Sequence, residues 1–513
     1  MKRRFVVPGI LVAVLVLLGL WRVRYVPEAV ANCTPVAREP NIAPDYGGVT
    51  IPPNIAPLNF RILEKGRAYC VKIHADRGPA IEIADRTGLI RIPARKWRAL
   101  LEANRGGHVF VDVYVKTAGH GWRQFQRLTN TVAEEEIDGT LVYRFMKPIY
   151  NAWQDIGIYQ RSLSDFDVSP VLHGRSFGQG CLNCHSFVDN KADTMTIGLR
   201  SATYGSHTLL ARNGVVRKIG AKWGYTSWHP SGRLAVYSIN KVRQFFHTGG
   251  LEVRDVVDLD SALVCYHVES NKAVSPAPLA EKDRLETYPA WSPDGRFLYY
   301  CSAPVLWSDR DTVPPENYDK LRYDLRRIAY DVETDQWGQG ETVLAAEETG
   351  LSILLPRISP DGRFLLFCMC RYGCFPVYQP SSDLYLMDLT TGDYRKLETN
   401  SPYSESWHSW SANSRWIAFS SKRQGGSLTR TYFSYVDRDG RAYKPFVLPQ
   451  KDPAYYDSLL ETYSVPELIE RRIKVSRFQL ARSARSAPSV AVELPLTGAT
   501  PQARPSDPWQ ERE

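Results

Sequence analysis

Four segments in the second half of the chain repeat one pattern of apolar and polar residues. Each has a large apolar residue, a polar stretch of the Ser-Pro-Asp-Gly type, an arginine and an apolar run, and they begin at Trp228, Trp291, Ile358 and Trp410. The polar stretch favours a tight turn and the apolar run a buried strand, so each segment predicts two neighbouring antiparallel strands. Alternating stretches between the segments predict outer strands, at 262–268, 325–332, 383–397 and 429–446. A repeated unit of several strands is typical of a β-propeller, with one repeat per blade.

These repeats resemble the PD40 repeats of TolB-like propellers over at least residues 221–450. Propellers of that family commonly have six blades, so the resemblance implies two more blades upstream. Residues 143–174 and 177–220 contain alternating stretches that could supply them. We therefore predict an all-β chain with a six-bladed, TolB-like propeller over residues 141–450.

The flanking segments differ in composition from the repeats. Residues 58–140 alternate between apolar and polar positions, with a Pro-initiated helical stretch at 93–103, which predicts a small β-sandwich-like domain. The Pro-rich stretch 27–57 predicts an extended spacer. Residues 451–475 predict two short helices, and the polar, Arg-rich stretch 476–513 predicts a disordered tail.

The pentapeptide Cys181-Leu-Asn-Cys-His185 carries the strongest chemical signal. Two thiols at this spacing followed by an imidazole form the attachment motif of a c-type haem, with the histidine as proximal iron ligand. A zinc half-site, a redox Cys-x-x-Cys or a coincidence are the alternatives; zinc normally needs a second ligand pair, and none is evident. We predict one covalent haem c. The repeat register predicts that the pentapeptide replaces one of the Ser-Pro-Asp-Gly turns.

The second axial ligand determines what such an iron can do. Met195 lies ten residues after His185 in the same predicted blade and is the first candidate, with core packing as the alternative role of a methionine in a strand. The other candidates are histidines, each more often a hydrogen-bonded residue than a ligand: His207, His229, His247 and His173.

The whole arrangement resembles exported bacterial proteins that combine a TolB-like propeller with one c-type haem motif. The matching stretches are 51–57, 157–161, 180–187 and 228–233. The resemblance implies architecture more than function.

The N-terminus has the layout of an export signal. A basic start, Met1–Arg4, precedes an apolar run over 5–21, which predicts a signal-anchor at 1–26 and a body on the periplasmic side of the cytoplasmic membrane. A signal cleaved near Ala29-Val-Ala31, leaving a soluble periplasmic protein, is the alternative. An oxidising compartment permits disulfides among the seven other cysteines, with free buried thiols or simple packing as the alternatives.

Together these features predict a membrane-tethered monohaem cytochrome that uses a propeller as a docking scaffold for electron transfer to a protein redox partner. Two alternatives stay open: a haem enzyme with an open iron, and a TolB-like interaction module with a structural haem. No G-x-S-x-G motif supports a serine peptidase. The net charge of +9 is dispersed without a basic run, so we expect no nucleic-acid partner.

Overall fold

Antiparallel sheets make up nearly all of the regular structure in the computed structural model, which describes residues 31, 33–119, 121–148, 155–250 and 252–490. The mostly-β architecture and the propeller predicted from the repeats are confirmed. An N-terminal domain of two sheets precedes the propeller. The chain then enters six further sheets, five of them with four strands and one with five. Each of the last four sheets contains one sequence repeat.

The N-terminal domain contains a seven-stranded sheet (β1, β3, β5, β6, β8, β9, β10), a three-stranded sheet (β2, β4, β7) and one helix. In chain order the elements are β1 Cys33–Pro35, β2 Ile42–Ala43, β3 Thr50–Ile51, β4 Phe60–Ile62, β5 Ala68–Ala75, β6 Ile81–Asp85, β7 Leu89–Ile90, α1 Ala94–Ala103, β8 His108–Thr117, β9 Gly121–Gln124 and β10 Leu128–Val132. The predicted helix is present directly after Pro93 and buries Trp97, Leu100 and Leu101. The two-sheet domain thus has the elements that the sequence predicts.

The predicted extended spacer at 27–57 is wrong for its described part. β1 pairs in parallel with β9, and β3 pairs in parallel with β10. Tyr46, Val49 and Ile51 are buried. The apolar side chains between the prolines provide enough buried surface to hold this segment against the sheet.

Five of the six propeller sheets are formed by four strands that follow one another in the chain, and the first has three such strands, β11 to β13. The strands are β11 Thr140–Met146, β12 Gly157–Ser162, β13 Val168–His173; β14 Cys181–Val188, β15 Lys191–Ser201, β16 Gly205–Arg212, β17 Val215–Ile219; β18 Thr226–Trp228, β19 Leu234–Phe246, β20 Arg254–His267, β21 Lys272–Val274; β22 Arg284–Trp291, β23 Phe297–Pro304, β24 Asp324–Asp331, β25 Gln336–Leu344; β26 Ser352–Ile358, β27 Phe364–Cys370, β28 Asp383–Asp388, β29 Tyr394–Lys396; β30 Glu405–Trp410, β31 Trp416–Ser421, β32 Arg430–Tyr435 and β33 Phe446–Val447. A short helix, α2 Ala346–Thr349, links β25 to β26.

A last long strand, β34 Thr462–Ile469, joins the two ends of the propeller. It pairs antiparallel with β11 and completes the sheet β34-β11-β12-β13. The first strands of successive sheets contact one another in the order β14, β18, β22, β26, β30 and β34, and β34 contacts β14. These six inner strands therefore form a closed ring around a central axis.

The two short helices predicted for 451–475 are not what forms there, because 462–469 is the strand β34. Pro466 had indicated a helix start, but an inner strand has an unpaired edge on the axis side, where a proline loses no hydrogen bond. The tail is ordered up to residue 490: α3 Arg477–Ser486 begins at Ser476, whose hydroxyl accepts a hydrogen bond from the Gln479 amide, and β35 Ser489–Val490 pairs with β17. Residues 491–513 lie outside the described part.

The predicted membrane anchor, and the location at the membrane that depended on it, must be corrected. Among the described residues no helix is both long and apolar enough to cross a bilayer. The apolar run 5–21 that motivated the prediction lies outside the described residues.

The core of the propeller contains a buried carboxyl group that makes the stability of the fold depend on pH. Glu286 in β22 is fully buried, and burial, followed by the charge of Glu281, raises its pKa to about 8. A raised native pKa means that the folded state binds this proton more tightly than the unfolded state. The resulting stability is complete below pH 4 and is lost as the pH rises through 8.

At pH 9 we expect the free energy of unfolding of Glu286→Gln to exceed that of the wild type by on the order of a few kcal/mol, because the amide needs no proton. The difference should shrink towards pH 5. Thermal unfolding at both pH values measures it, with exposed Glu341→Gln on β25 as the matched control. Equal midpoints of wild type and Glu286→Gln at pH 9 would contradict a buried, protonated carboxyl.

Candidate functional site

Irregularities in the inner strands shape the centre of the propeller. In five of the six inner-strand pairings the register shifts at a corresponding point, which marks a β-bulge. At four of these points a non-glycine residue has a positive φ angle: Tyr288 (53°), Leu355 (57°), Trp407 (34°) and Val465 (50°). A bulge interrupts the alternation of side chains between the two faces of a strand. Here the residues at the bulges line a cavity at the centre of the propeller.

Aligned on this point, the six inner strands contribute equivalent pairs of residues to one central cavity. The first members are Cys184, Tyr225, Tyr288, Leu355, Trp407 and Val465, and the second members are His185, Thr226, Pro289, Pro356, His408 and Pro466. With Arg357 and Glu467 they line a cavity of about 40 Å³. Two of the three haem-binding side chains of the pentapeptide, Cys184 and His185, thus line the central cavity.

The pentapeptide does not replace a turn, as the repeat register had predicted. It lies within β14, and Phe187 occupies the position of Trp228, Trp291 and Trp410 in three other inner strands. The turn follows at Asp189 and Asn190, both with positive φ. The prediction failed because a bulge shifts the position of the turn along the strand, and sequence spacing does not show bulges.

His185 and His408 occupy equivalent positions with opposite hydrogen-bonding states. His408 is buried, its Nε2 donates to the Leu366 carbonyl at 3.2 Å, and its Nδ1 lies 3.7 Å from the Cys368 sulfur. His185 is equally buried and lies near the Val142 backbone, but neither ring nitrogen makes a hydrogen bond of normal geometry. Burying a polar ring without hydrogen bonds costs free energy. The hydrogen bonds of His408 offset that cost, whereas the nitrogens of His185 stay available to bind another group.

Both imidazoles are neutral at physiological pH. Burial lowers the pKa of each to about 3, with the Arg144 charge adding to the effect on His185 and the Arg357 charge to that on His408. A neutral imidazole with an unused nitrogen lone pair is the form that binds a metal.

The two cysteines of the pentapeptide face different surroundings. Cys184 lines the cavity, and burial raises the pKa of its thiol. Cys181 is paired across the sheet with Arg200, whereas His185 is paired with Ile197. Arg200 and Ile197 point to opposite faces of β15, so Cys181 and His185 also lie on opposite faces of the sheet.

Cys181, Cys184 and the five cysteines between 265 and 374 are free thiols. Cys265, Cys301, Cys368, Cys370 and Cys374 are buried, so packing explains the cluster at 368–374 for which a local disulfide was the alternative. No group of three or more metal-binding side chains occurs among the residues that the structure describes. A haem iron, however, takes only one or two protein ligands.

The candidates for the second axial ligand do not line the cavity. Met195 is buried in the core and pairs with Phe187, which places it on the same sheet face as His185. His207 contacts the Tyr204 carbonyl at 2.6 Å, His229 contacts Ser231 and the Gly295 carbonyl, and His247 pairs with Asp255 at 3.2 Å. His173 caps a helical turn through Arg175. The structure therefore brings none of them into the cavity with His185.

Aromatic side chains close part of the cavity wall. The Tyr225 ring lies 4.2 Å from Tyr288 and 5.7 Å from Trp407, between ring centroids, and Phe375 lies 5.8 Å from Trp407. The Tyr288 hydroxyl donates to the Cys374 carbonyl at 2.5 Å. These rings give the cavity a rigid apolar surface.

Sequence reasoning missed His408, Arg357 and Glu467. Arg357 and Glu467 form an ion pair of 2.5 Å between β26 and β34. The repeats contained a signal: His408 stands two residues before Trp410, where Thr226 and Pro289 stand before Trp228 and Trp291. Comparing that column across the repeats would have aligned His408 with His185.

Comparisons with known proteins give similarity of fold only. No protein-family profile and no curated protein matches the chain. Solved structures that match include TolB from Acinetobacter baumannii (11% identity, 74% of this chain and 85% of that chain, TM-score 0.41) and Kuenenia stuttgartiensis hydrazine synthase (13% identity, 51% and 64%, TM-score 0.31). The Dos1 propeller matches at 15% identity, over 53% and 66%, with a TM-score of 0.29. At these values the matches carry no information about function.

The contrast between the two histidines predicts opposite effects of one substitution in the haem-free protein. His185→Leu should leave the thermal midpoint unchanged or raise it, because it removes an unpaired polar group from the core. His408→Leu should destabilise the fold by about 1–3 kcal/mol, because the Leu366 carbonyl loses its donor. Thermal unfolding of both variants measures the difference; a loss in His185→Leu as large as in His408→Leu would contradict the assignment.

Proposed function

We propose that this protein carries one covalent haem c, with thioether links to Cys181 and Cys184 and with His185 as the proximal iron ligand. The observation that carries the proposal is the buried imidazole of His185, at the end of a Cys-x-x-Cys-His motif and beside a cavity, with no hydrogen bond of normal geometry to the described residues. The equivalent His408, outside such a motif, is fully satisfied.

The chemistry of the donor set fits the group, whereas the space does not: the cavity of about 40 Å³ has room for only a few water molecules. Cys184 and His185 line the cavity, and the two thiols are free. Cys181 has to turn from the opposite sheet face for both thiols to hold one planar group. Gly178, Gln179 and Gly180 precede it, and the first two have positive φ, so β14 begins next to a flexible turn.

In this proposal the six sheets are the six blades of the propeller, and the haem is inserted at the inner strand of the sheet β14-β15-β16-β17. The bound haem supplies an iron that exchanges one electron. The protein holds that iron on a rigid ring of strands and presents its loops to a protein redox partner. Electron transfer is therefore the function that we favour.

A haem enzyme is the second candidate because polar side chains share the cavity with His185. The polar side chains are Arg357 on β26, Glu467 on β34 and His408 on β30. The sequence analysis did not identify this group of residues. Such groups can orient a small substrate or move a proton if the iron has an open position.

Haem attachment tests the proposal directly. The full-length chain, produced in a host that attaches c-type haem, should give a pyridine haemochrome spectrum of a haem with two thioether links. Cys181→Ser and Cys184→Ser should each lose one link, whereas Cys265→Ser, a buried strand cysteine in another sheet, should keep both. A wild-type chain that folds without covalent haem would refute the proposal.

Met195 is our proposed sixth ligand, and CO binding distinguishes it from an open iron. Met195 lies on the same sheet face as His185, so it would hold the iron only if the pentapeptide left its strand register. Met195→Ala should convert a reduced protein that resists CO into one that binds it rapidly. Met387→Ala, a buried methionine in β28, is the control. Rapid CO binding by the wild type would favour the enzyme.

A further inference from the structure

We infer that the solvent side of α3 is a docking surface for an acidic protein partner. The surface consists of Arg477, Phe478, Arg482 and Arg485, and it is called the α3 face below. It is a property of the folded chain and needs no haem. Only its use in electron transfer rests on the proposed function.

The segment around α3 carries positive charge without negative charge. No aspartate or glutamate occurs between residues 471 and 490, whereas six cations do: Arg471, Arg472, Lys474, Arg477, Arg482 and Arg485. All six are exposed. Only Arg472 has an acidic partner among the residues that the structure describes, Asp167 at 2.7 Å. The other cations face solvent with no such carboxylate within ion-pair distance.

The helical spacing of α3 separates a buried stripe from a cationic row. The buried stripe consists of three residues, Leu480, Ala481 and Ala484. They recur at the spacing of a helix that lies on a surface. Phe478, Arg482 and Arg485 follow one another at i, i+4 and i+7, so they form one row on the solvent side. The α3 face is therefore one continuous surface.

Phe478 gives the α3 face an apolar centre. Its side chain is 69% exposed, and the Arg477 guanidinium carbon lies 4.8 Å from the centroid of its ring. The other apolar side chains of α3 are buried. An aromatic side chain beside arginines is the composition that protein interfaces favour. A bilayer surface would need several exposed apolar side chains here, so the single aromatic favours a protein.

Hydrogen bonds to the propeller hold α3 in place near both of its ends. The Gln479 side-chain amide donates to the Gly214 carbonyl at 2.8 Å. Lys218, which is buried, donates from its Nζ to the Ala484 carbonyl at 2.9 Å. A cation at the last carbonyls of a helix also interacts favourably with the helix dipole. A face that is fixed before binding loses little conformational freedom when a partner arrives.

The α3 face lies on the sheet that contains the pentapeptide. The helix packs against β16 and β17 of that sheet. Its buried side chains belong to the same hydrophobic cluster as Cys181 and Leu182. A partner bound to the α3 face is thus held at the blade that carries the motif, which is where the proposed electron transfer needs it.

The chemistry of the α3 face specifies the chemistry of the partner. Carboxylates match guanidinium groups in charge and in hydrogen-bonding geometry. Opposite charges also guide the encounter of two proteins and fix their orientation. The partner should therefore present aspartates or glutamates around one apolar side chain that packs on Phe478.

The test measures binding of the full-length protein to two short fluorescent peptides by fluorescence anisotropy. The first peptide has glutamates around one central tryptophan, and the second has glutamine in place of that tryptophan. One triple variant removes the charges of the α3 face: Arg477→Gln, Arg482→Gln and Arg485→Gln. The matched control removes three charges from α1, a helix of the same length: Arg95→Gln, Lys96→Gln and Arg98→Gln.

We expect the α3 triple variant to bind both peptides about tenfold more weakly than the wild type at low salt, because each exposed ion pair contributes little by itself. The α1 triple variant should bind like the wild type. The difference should vanish near 1 M salt, where the Debye length falls to about 3 Å. Lysine at the same three positions of α3 should keep the wild-type affinity, since it keeps the charge.

The apolar centre is tested separately. Phe478→Ser should bind the tryptophan peptide about fivefold more weakly and leave binding of the glutamine peptide unchanged, because only the tryptophan packs on the lost ring. Leu460→Ser is the matched control, since Leu460 is 71% exposed and lies outside α3. Equal effects of Phe478→Ser on the two peptides would contradict the apolar centre on which the choice of a protein partner depends.

Equal peptide binding by the wild type and both triple variants would overturn the inference. So would anionic vesicles or a DNA duplex that bind through the α3 cations while neither peptide binds, because the partner would then be a membrane or a nucleic acid. If the α3 triple variant does not fold, Arg482→Gln and Arg485→Gln singly take its place, each with about twofold weaker binding. A wild type that binds the peptides but attaches no haem would refute the proposed function and support the docking surface.

Discussion

The antiparallel pairing of β34 with β11 is the interaction on which the rest of the structure depends. It joins residues 462–469 to residues 140–146, two segments from opposite ends of the propeller. An unpaired inner edge of β11 and a gap between β30 and β14 would otherwise remain. The ring of inner strands, the central cavity and the shared surroundings of Cys184 and His185 all require this closure.

The ring also explains why the chemistry is located at the axis. An inner strand has hydrogen-bonding partners on its outer side only, so its free edge accepts prolines, bulges and residues with positive φ that a central strand would exclude. Pro289, Pro356 and Pro466 use this freedom with no evident function beyond packing. In β14 the same position carries His185, whose ring nitrogens make no hydrogen bond of normal geometry with the described residues.

The parts of this fold that were predictable have local causes. The turns and apolar runs of the four repeats determine their strands through neighbouring residues, so the propeller could be predicted from them. β34 could not, because its pairing depends on a segment hundreds of residues away and Pro466 favoured a helix. The same holds for the site: the motif at 181–185 is local, whereas its placement in a strand and the equivalence of His185 with His408 depend on bulges and on ring geometry.

The closing strand also sets an order of events during biosynthesis. The pentapeptide at 181–185 leaves the ribosome long before residues 462–469, and until those residues arrive the wall of the cavity formed by Val465, Pro466 and Glu467 does not exist. During that interval the cavity beside Cys184 and His185 is open on the side that Val465, Pro466 and Glu467 later close. Closure then buries whatever the pentapeptide holds. The pairing of β34 is thus the last step in forming the closed ring and its central cavity.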